Sequence, residues 1–318
     1  MKKSLSILII LAAFIFVFAG CAKEEMPVIK IATLAGPTGM GMTKLIDEAE
    51  GKYEVSVLTS PDQITPKIIN GEADICAVPS NLASVLYAKT EGQIKVLSIN
   101  TTGVLYIVEN GDTINTIADL KGKTIYASGQ GSSPEYILNH VLEENGLVPN
   151  EDVTIIYEAE HATLANMVAA GEVDIAILPE PFVSVVSAKN ADVKVKIDMN
   201  AEWEAIYGEG VTIPMGVAIV QKDFLDKYPK AVEAFMEDYE ASVNFVNDDM
   251  EAASALIAEQ GILPSAGVAK MAIPRAGISF IVGDELESVL NQYLEVLYDY
   301  NPASVGGTLP DEDFYYQK

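Results

Sequence analysis

Residues 71–89 read Gly71-Glu72-Ala73-Asp74-Ile75-Cys76-Ala77-Val78-Pro79-Ser80-Asn81-Leu82-Ala83-Ser84-Val85-Leu86-Tyr87-Ala88-Lys89. Residues 171–189 read Gly171-Glu172-Val173-Asp174-Ile175-Ala176-Ile177-Leu178-Pro179-Glu180-Pro181-Phe182-Val183-Ser184-Val185-Val186-Ser187-Ala188-Lys189. Nine residues of the first stretch, Gly71, Glu72, Asp74, Ile75, Pro79, Ser84, Val85, Ala88 and Lys89, recur 100 positions later. In each copy a glycine closes a helix, an apolar run forms a buried strand, proline breaks it, and a further helix follows. Two copies are too few for a solenoid, which needs at least about three stacked repeats. Two related lobes fit them.

Outward from this pair, a looser echo matches Ile31–Ile46 with Ile125–His140, each a strand, a Gly/Ser/Thr loop and a helix. Val28–Leu34 reads as a strand, broken by Gly36-Pro37-Thr38-Gly39; a helix is expected from Met40 to about Glu50 and a strand at Tyr53–Leu58. Alternation of this kind indicates an α/β fold. Gly103–Val108 and Gly216–Val220 are similar apolar runs that follow Thr101-Thr102 and Ile213-Pro214-Met215. They are read as paired hinge segments. Lobe one is then expected at 28–102 and 218–318, and lobe two at 103–217. Apolar residues at helical spacing from Lys227 to Val246, Met250 to Glu259 and Glu285 to Tyr298 predict a helical tail, expected on lobe one.

The N-terminus bears on the compartment. Lys2 and Lys3 precede the apolar run Ile7–Phe18, and Ala19-Gly20-Cys21 follows. This reads as an export signal over residues 1–20, too short for a stable span. Small residues directly before a cysteine resemble a bacterial lipobox, although Phe18 stands where that pattern prefers Leu. Lipidation, including palmitate, is expected at Cys21, with residues 21–27 as a lipidated tether to the outer face of the cell membrane. Removing residues 1–20 takes two lysines and no acids, moving the net charge from −26 to −28. So acidic a chain is repelled by nucleic acid, and no nucleic-acid partner is expected. Cys76 then remains alone in an apolar run, which suits a packed thiol and rules out an internal disulfide.

The lipobox, the segment Ile117-Ala118-Asp119-Leu120-Lys121-Gly122-Lys123-Thr124-Ile125 and the paired Gly-Glu-(Ala/Val)-Asp-Ile runs resemble ABC-transporter solute-binding proteins. The nearest group is the one binding nitrate, sulfonate, taurine and thiamine precursors. The resemblance covers essentially all of the chain after the signal. It implies a type II periplasmic-binding fold, with two α/β lobes joined by a two-stranded hinge and the ligand cleft between them. It also implies a small-molecule solute and an ABC permease with its ATPase as partners, in an import system.

Enzyme signatures are sparse. His140 and His161 lack metal-ligand spacing, and neither a Walker A nor a G-x-S-x-G sequence occurs. No catalytic residue, metal or cofactor is therefore expected. His140 suits packing, while His161 sits at a predicted strand end. Four loops are candidates for ligand contact. Gly36–Gly41 could bring backbone close to a solute through Pro37, Thr38, Gly39 and Met40. In Gly129–Pro134, Ser133 suits a helix N-cap and Pro134 the first helical position, leaving Gln130 and Ser132 without structural duty; Gln130, Gly131, Ser132 and Ser133 are together the loop's candidates for ligand contact. The echoed turns contribute Ser80 and Asn81 from one copy and Glu180 and Pro181 from the other, expected to face each other across the solute. Thr102 and Met215 complete the set at the hinge. Arg275 is the only arginine, and a structural ion pair suits it better than an anion receptor; with fourteen tyrosines as stacking surfaces, a neutral or weakly cationic heteroaromatic solute is mildly preferred. An enzyme on the same fold, or a lipoprotein reporting solute to a membrane receptor, are the alternatives.

Overall fold

The computed structural model describes residues 26–317. The expected signal, Cys21 and most of the tether lie outside the described residues. From Ile29 the chain runs β1 (Ile29–Leu34), α1 (Pro37–Met40), α2 (Thr43–Asp47), β2 (Tyr53–Leu58), α3 (Pro61–Ile69), β3 (Ile75–Pro79), α4 (Ser80–Lys89) and β4 (Ile94–Thr102). The central block is β5 (Leu105–Asn110), β6 (Thr124–Ser128), α5 (Ser133–Glu144), β7 (Thr154–Glu158), α6 (His161–Ala170), β8 (Ile175–Pro179), α7 (Phe182–Lys189), β9 (Val193–Asp198) and α8 (Met199–Tyr207). The chain ends with β10 (Pro214–Gln221), α9 (Lys222–Lys227), α10 (Pro229–Asp248), α11 (Met250–Glu259), α12 (Ala266–Ala272), β11 (Ile278–Ile281) and α13 (Gly283–Tyr300).

Two sheets result, a six-stranded one in the order β11-β4-β10-β3-β1-β2 and a five-stranded one in the order β7-β6-β8-β5-β9. The echoed stretches build matching parts of them. Gly71 and Gly171 both take positive φ, 66° and 74°, a conformation glycine adopts without the penalty other residues meet. Each is followed by a buried strand, β3 or β8, and by a helix. Each strand also has one antiparallel neighbour: Gly216 opposes Pro79 in the first sheet, and Leu105 opposes Pro179 in the second. Gly103–Val108 and Gly216–Val220 are therefore counterparts in separate sheets, and they do not pair with each other.

The chain passes between sheets just ahead of each. Thr102 opposes Pro214, and the Gly103 N–H donates to the Ile213 carbonyl at 2.9 Å, so the two crossings run side by side. Asn200 pins them: its Oδ1 accepts from the Ile213 N–H at 2.8 Å and the Thr212 hydroxyl at 2.7 Å. β10 already begins at Pro214, four residues ahead of the boundary expected for the first lobe.

Three expectations need correction. The helix expected from Met40 to Glu50 is two short helices, Pro37–Met40 and Thr43–Asp47. Gly41, between them, packs where a Cβ would lie 3.2 Å from Val243 and 3.3 Å from Ile278. The tail does not belong to the first lobe alone. From α13, Tyr293 meets Trp203 edge-on at 6.2 Å, and Tyr300 stacks on Tyr136 at 5.9 Å. Just beyond the helix, the Asn301 amide donates to the Tyr136 hydroxyl at 3.0 Å. An apolar face that continues along α13 meets two partners, and its periodicity cannot say which. Finally, the helix cap after β6 is Ser132, one residue earlier than expected.

Candidate functional site

The turn after β1 in the first sheet approaches the turn after β8 in the second, and the C-terminal ends of strands are the usual location of ligands in open α/β sheets. From the first sheet come the β1–α1 turn and the start of α4. From the second come the ends of β6 and β8 and the start of α6. The lobes touch here. A Cβ on Gly36 would sit 4.0 Å from Pro181, and the Tyr106 hydroxyl of β5 donates to the Arg275 carbonyl at 2.9 Å.

Glu180 is the most constrained of the candidates. Its Oε1 accepts from Arg275 Nε at 2.6 Å and from the Ser184 hydroxyl at 3.0 Å, while Oε2 accepts from the Ser184 N–H at 3.2 Å. Arg275 Nη2 also donates to the Ser184 oxygen at 2.9 Å. The Glu180 side chain is fully buried and that of Arg275 is 30% exposed. Burial pushes the Glu180 carboxyl above the usual carboxylate range, and the arginine and Ser184 oppose the shift. The carboxylate's partners are thus protein groups, one of them from the other lobe. Glu180 does not meet Ser80 and Asn81 in this structure.

The counterpart turn differs. Asn81 donates to the Ser304 carbonyl at 3.2 Å, and Ser84 donates to that of Val305 at 2.6 Å, so the C-terminal segment covers this helix. Ser80 is buried, and its hydroxyl has no partner among the described residues. A buried hydroxyl without a partner is costly unless something else satisfies it. At the β1–α1 turn, Pro37 and Thr38 are half-buried, and Gly39 and Met40 are buried. Gly39 lies so close to β1 that any Cβ would overlap the Leu34 carbonyl. At the hinge, Met215 is half-buried, and Thr102 donates from its hydroxyl to the Gly277 carbonyl at 3.3 Å.

In the second lobe, Gln130 and Gly131 are exposed. Contrary to expectation Ser132 has a local duty, donating to the Gly129 carbonyl at 2.5 Å. Ser133 is buried beside the Tyr293 phenol of α13. Two further residues stand at the strand ends. The Ser128 hydroxyl and His161 Nδ1 are 2.6 Å apart, and the Phe182 ring lies 5.7 Å from that of His161. Burial holds the His161 imidazole below its ordinary range, with Glu160 opposing the shift. Ser128 closes a strand immediately before a glycine, a local signal that reading by loops passed over. Ser184 and Tyr106 enter only through tertiary contacts. The described residues contain no group of three or more His, Cys, Asp or Glu that could hold a metal ion.

Two lobes, each built on a mixed sheet and joined by two adjacent chain crossings, define the architecture of the periplasmic binding proteins. The NMT1/THI5-like family model matches residues 49–253, more than half of the chain, and the chain belongs to that family. Among solved structures, it resembles an ABC transporter protein from Parabacteroides distasonis, with a TM-score of 0.78 and 24% identity over 92% of this chain and 99% of that one. The periplasmic aliphatic sulphonate binding protein SsuA from Escherichia coli superimposes with a TM-score of 0.70 and 18% identity, covering 91% and 92%. The periplasmic nitrate-binding protein NrtA from Synechocystis gives 0.61 and 12%, covering 87% and 82%. In sequence, the candidate binding protein YtlA of Bacillus subtilis is 25% identical over 186 residues, which span 55% of each chain. No helix among the described residues is long and apolar enough to cross a membrane.

Proposed function

We propose that this protein is the extracytoplasmic solute-binding component of an ABC importer, a binding protein and not an enzyme. The observation that carries this reading is the pair of mixed sheets joined by two chain crossings that run side by side. That arrangement lets a small molecule bind between lobes that move as units. The lobes are assigned to 28–102 with 218–318 and to 103–217, the crossings falling within a few residues of these limits. The contacts offered to solute are the turn Pro37–Met40, Ser80, Thr102, Met215, the loop Gln130–Ser133 and Pro181, joined by Ser128 and His161. Asn81 and Glu180 face the same region through their backbone, since their side chains are engaged elsewhere. The partners are an ABC permease with its ATPase. Cys21 is the lipid attachment point that keeps the protein at the outer face of the cell membrane; Cys21→Ser should release it from the membrane fraction.

Native mass spectrometry of protein purified without denaturation tests the capture reading. A retained small molecule, lost or weakened in Ser80→Ala, supports it. A preparation that retains nothing and whose melting temperature no solute raises speaks against it. The close Ser128–His161 pair favours a second reading, an enzyme on the same fold. Against it, the other ring nitrogen of His161 has no hydrogen-bonded carboxylate among the described residues to orient it as a base.

A further inference from the structure

We propose that Arg275 and Glu180 form a latch between the lobes, and that the arginine serves as this fastener and not as the receptor for an anionic solute. The two residues are 95 positions apart, Glu180 at the end of β8 in the second sheet and Arg275 in the turn between α12 and β11. Two guanidinium nitrogens are committed, Nε to Glu180 and Nη2 to Ser184. Both Glu180 oxygens already accept hydrogen bonds. The Arg275 main chain is held from the second lobe as well, by the Tyr106 hydroxyl. Every one of these bonds joins the lobes or orients a group that does.

The energetics suit a latch more than a permanent tie. Dehydrating two charges is costly, and their attraction repays this only where geometry and extra hydrogen bonds are good. When the lobes part, both charges regain water, so the pair biases the equilibrium without fixing it. Losing one partner is another matter, because a fully buried carboxylate left alone disfavours the closed form. Lysine at 275 would keep the charge and lose the planar fork that reaches Glu180 and Ser184 at once. This inference rests on the two-lobed capture reading, but its test needs no solute, so the two can fail separately.

The test is the inter-lobe distance in the purified full chain. Nitroxides would be placed on Asp62→Cys and Glu151→Cys, exposed positions in opposite lobes, in a Cys21→Ser background. The latch predicts that Arg275→Gln and Glu180→Gln each shift the populations about tenfold toward the longer distance, the effect of losing a hydrogen bond to a charged group. Arg275→Lys should fall between them and the parent. The double variant should open no further than either single one, because the two residues act as a unit. Parent-like distances in both single variants, or effects that add in the double variant, overturn the proposal. So does tight binding of methanesulfonate or nitrate that Arg275→Gln abolishes while leaving the distances unchanged. If Arg275→Gln does not fold, Glu180→Gln and Arg275→Lys decide the matter.

Discussion

Thr102 and Gly277 are locked together where the chain leaves the first sheet. The Thr102 N–H donates to the Gly277 carbonyl at 2.9 Å, and any Cβ on Gly277 would overlap the Thr102 carbonyl oxygen. Gly277 also takes a positive φ of 53°. A third chain segment thereby braces the two crossings held by Asn200. Movement of one lobe on the other must be absorbed by the few residues around these contacts.

Gly277→Ala should therefore cost about 3 kcal/mol, since it adds both a clash with backbone and an unfavourable φ. Gly71→Ala is the control. Its φ is 66°, but a Cβ there would meet nothing within 4 Å, so only the conformational cost of about 1–2 kcal/mol applies. Urea unfolding of both variants measures the difference; equal losses would mean that the Thr102 contact is slack.

Acidification should destabilise the fold through its histidines. Burial depresses both His140 and His161 from the ordinary value of 6.5, opposed by Glu143 and Glu144 near the first and Glu160 near the second. The unfolded chain thus takes up protons at a higher pH than the folded one. Stability from this source is complete above pH 6.5 and is lost as pH falls from there through the depressed folded-state values. His140→Gln and His161→Gln should each flatten the fall in melting temperature over that window. An unchanged slope in both would contradict the burial of these rings.

Cys76 should resist alkylation in the native protein. It is buried in β3, and burial pushes its thiol up to about 12. Little thiolate forms at pH 8, and reagent cannot reach it without unfolding. Iodoacetamide should modify it in urea and hardly at all without. Equal rates would show that the first-lobe core opens readily.

The repeat was legible because its cause is local. A positive-φ glycine, an apolar strand and a proline turn each act within a few residues, and both copies form the same elements. The segment around Ile117 entered the reading only through its family resemblance; in the structure Thr116 and Asp119 form a capping box there, and Gly122 takes a left-handed turn at φ 76°. The bond between Arg275 and Glu180 was not legible. Each residue lies in its own turn, and only the closure of one lobe on the other brings them together. The same holds for α13, where a single apolar face serves two lobes. At the missed break, Gly41 packs against Val243 and Ile278, residues remote in sequence, and no local pattern announces that approach.

The claim that solute binds between the lobes is tested most directly by amide hydrogen exchange, followed with and without the retained molecule. The account predicts protection on both sides at once, at Gly36–Met40 in the first lobe and at Ser128–Ser133 and Glu180–Phe182 in the second. Protection confined to one lobe, or absent from all three segments while the molecule is bound, would contradict it.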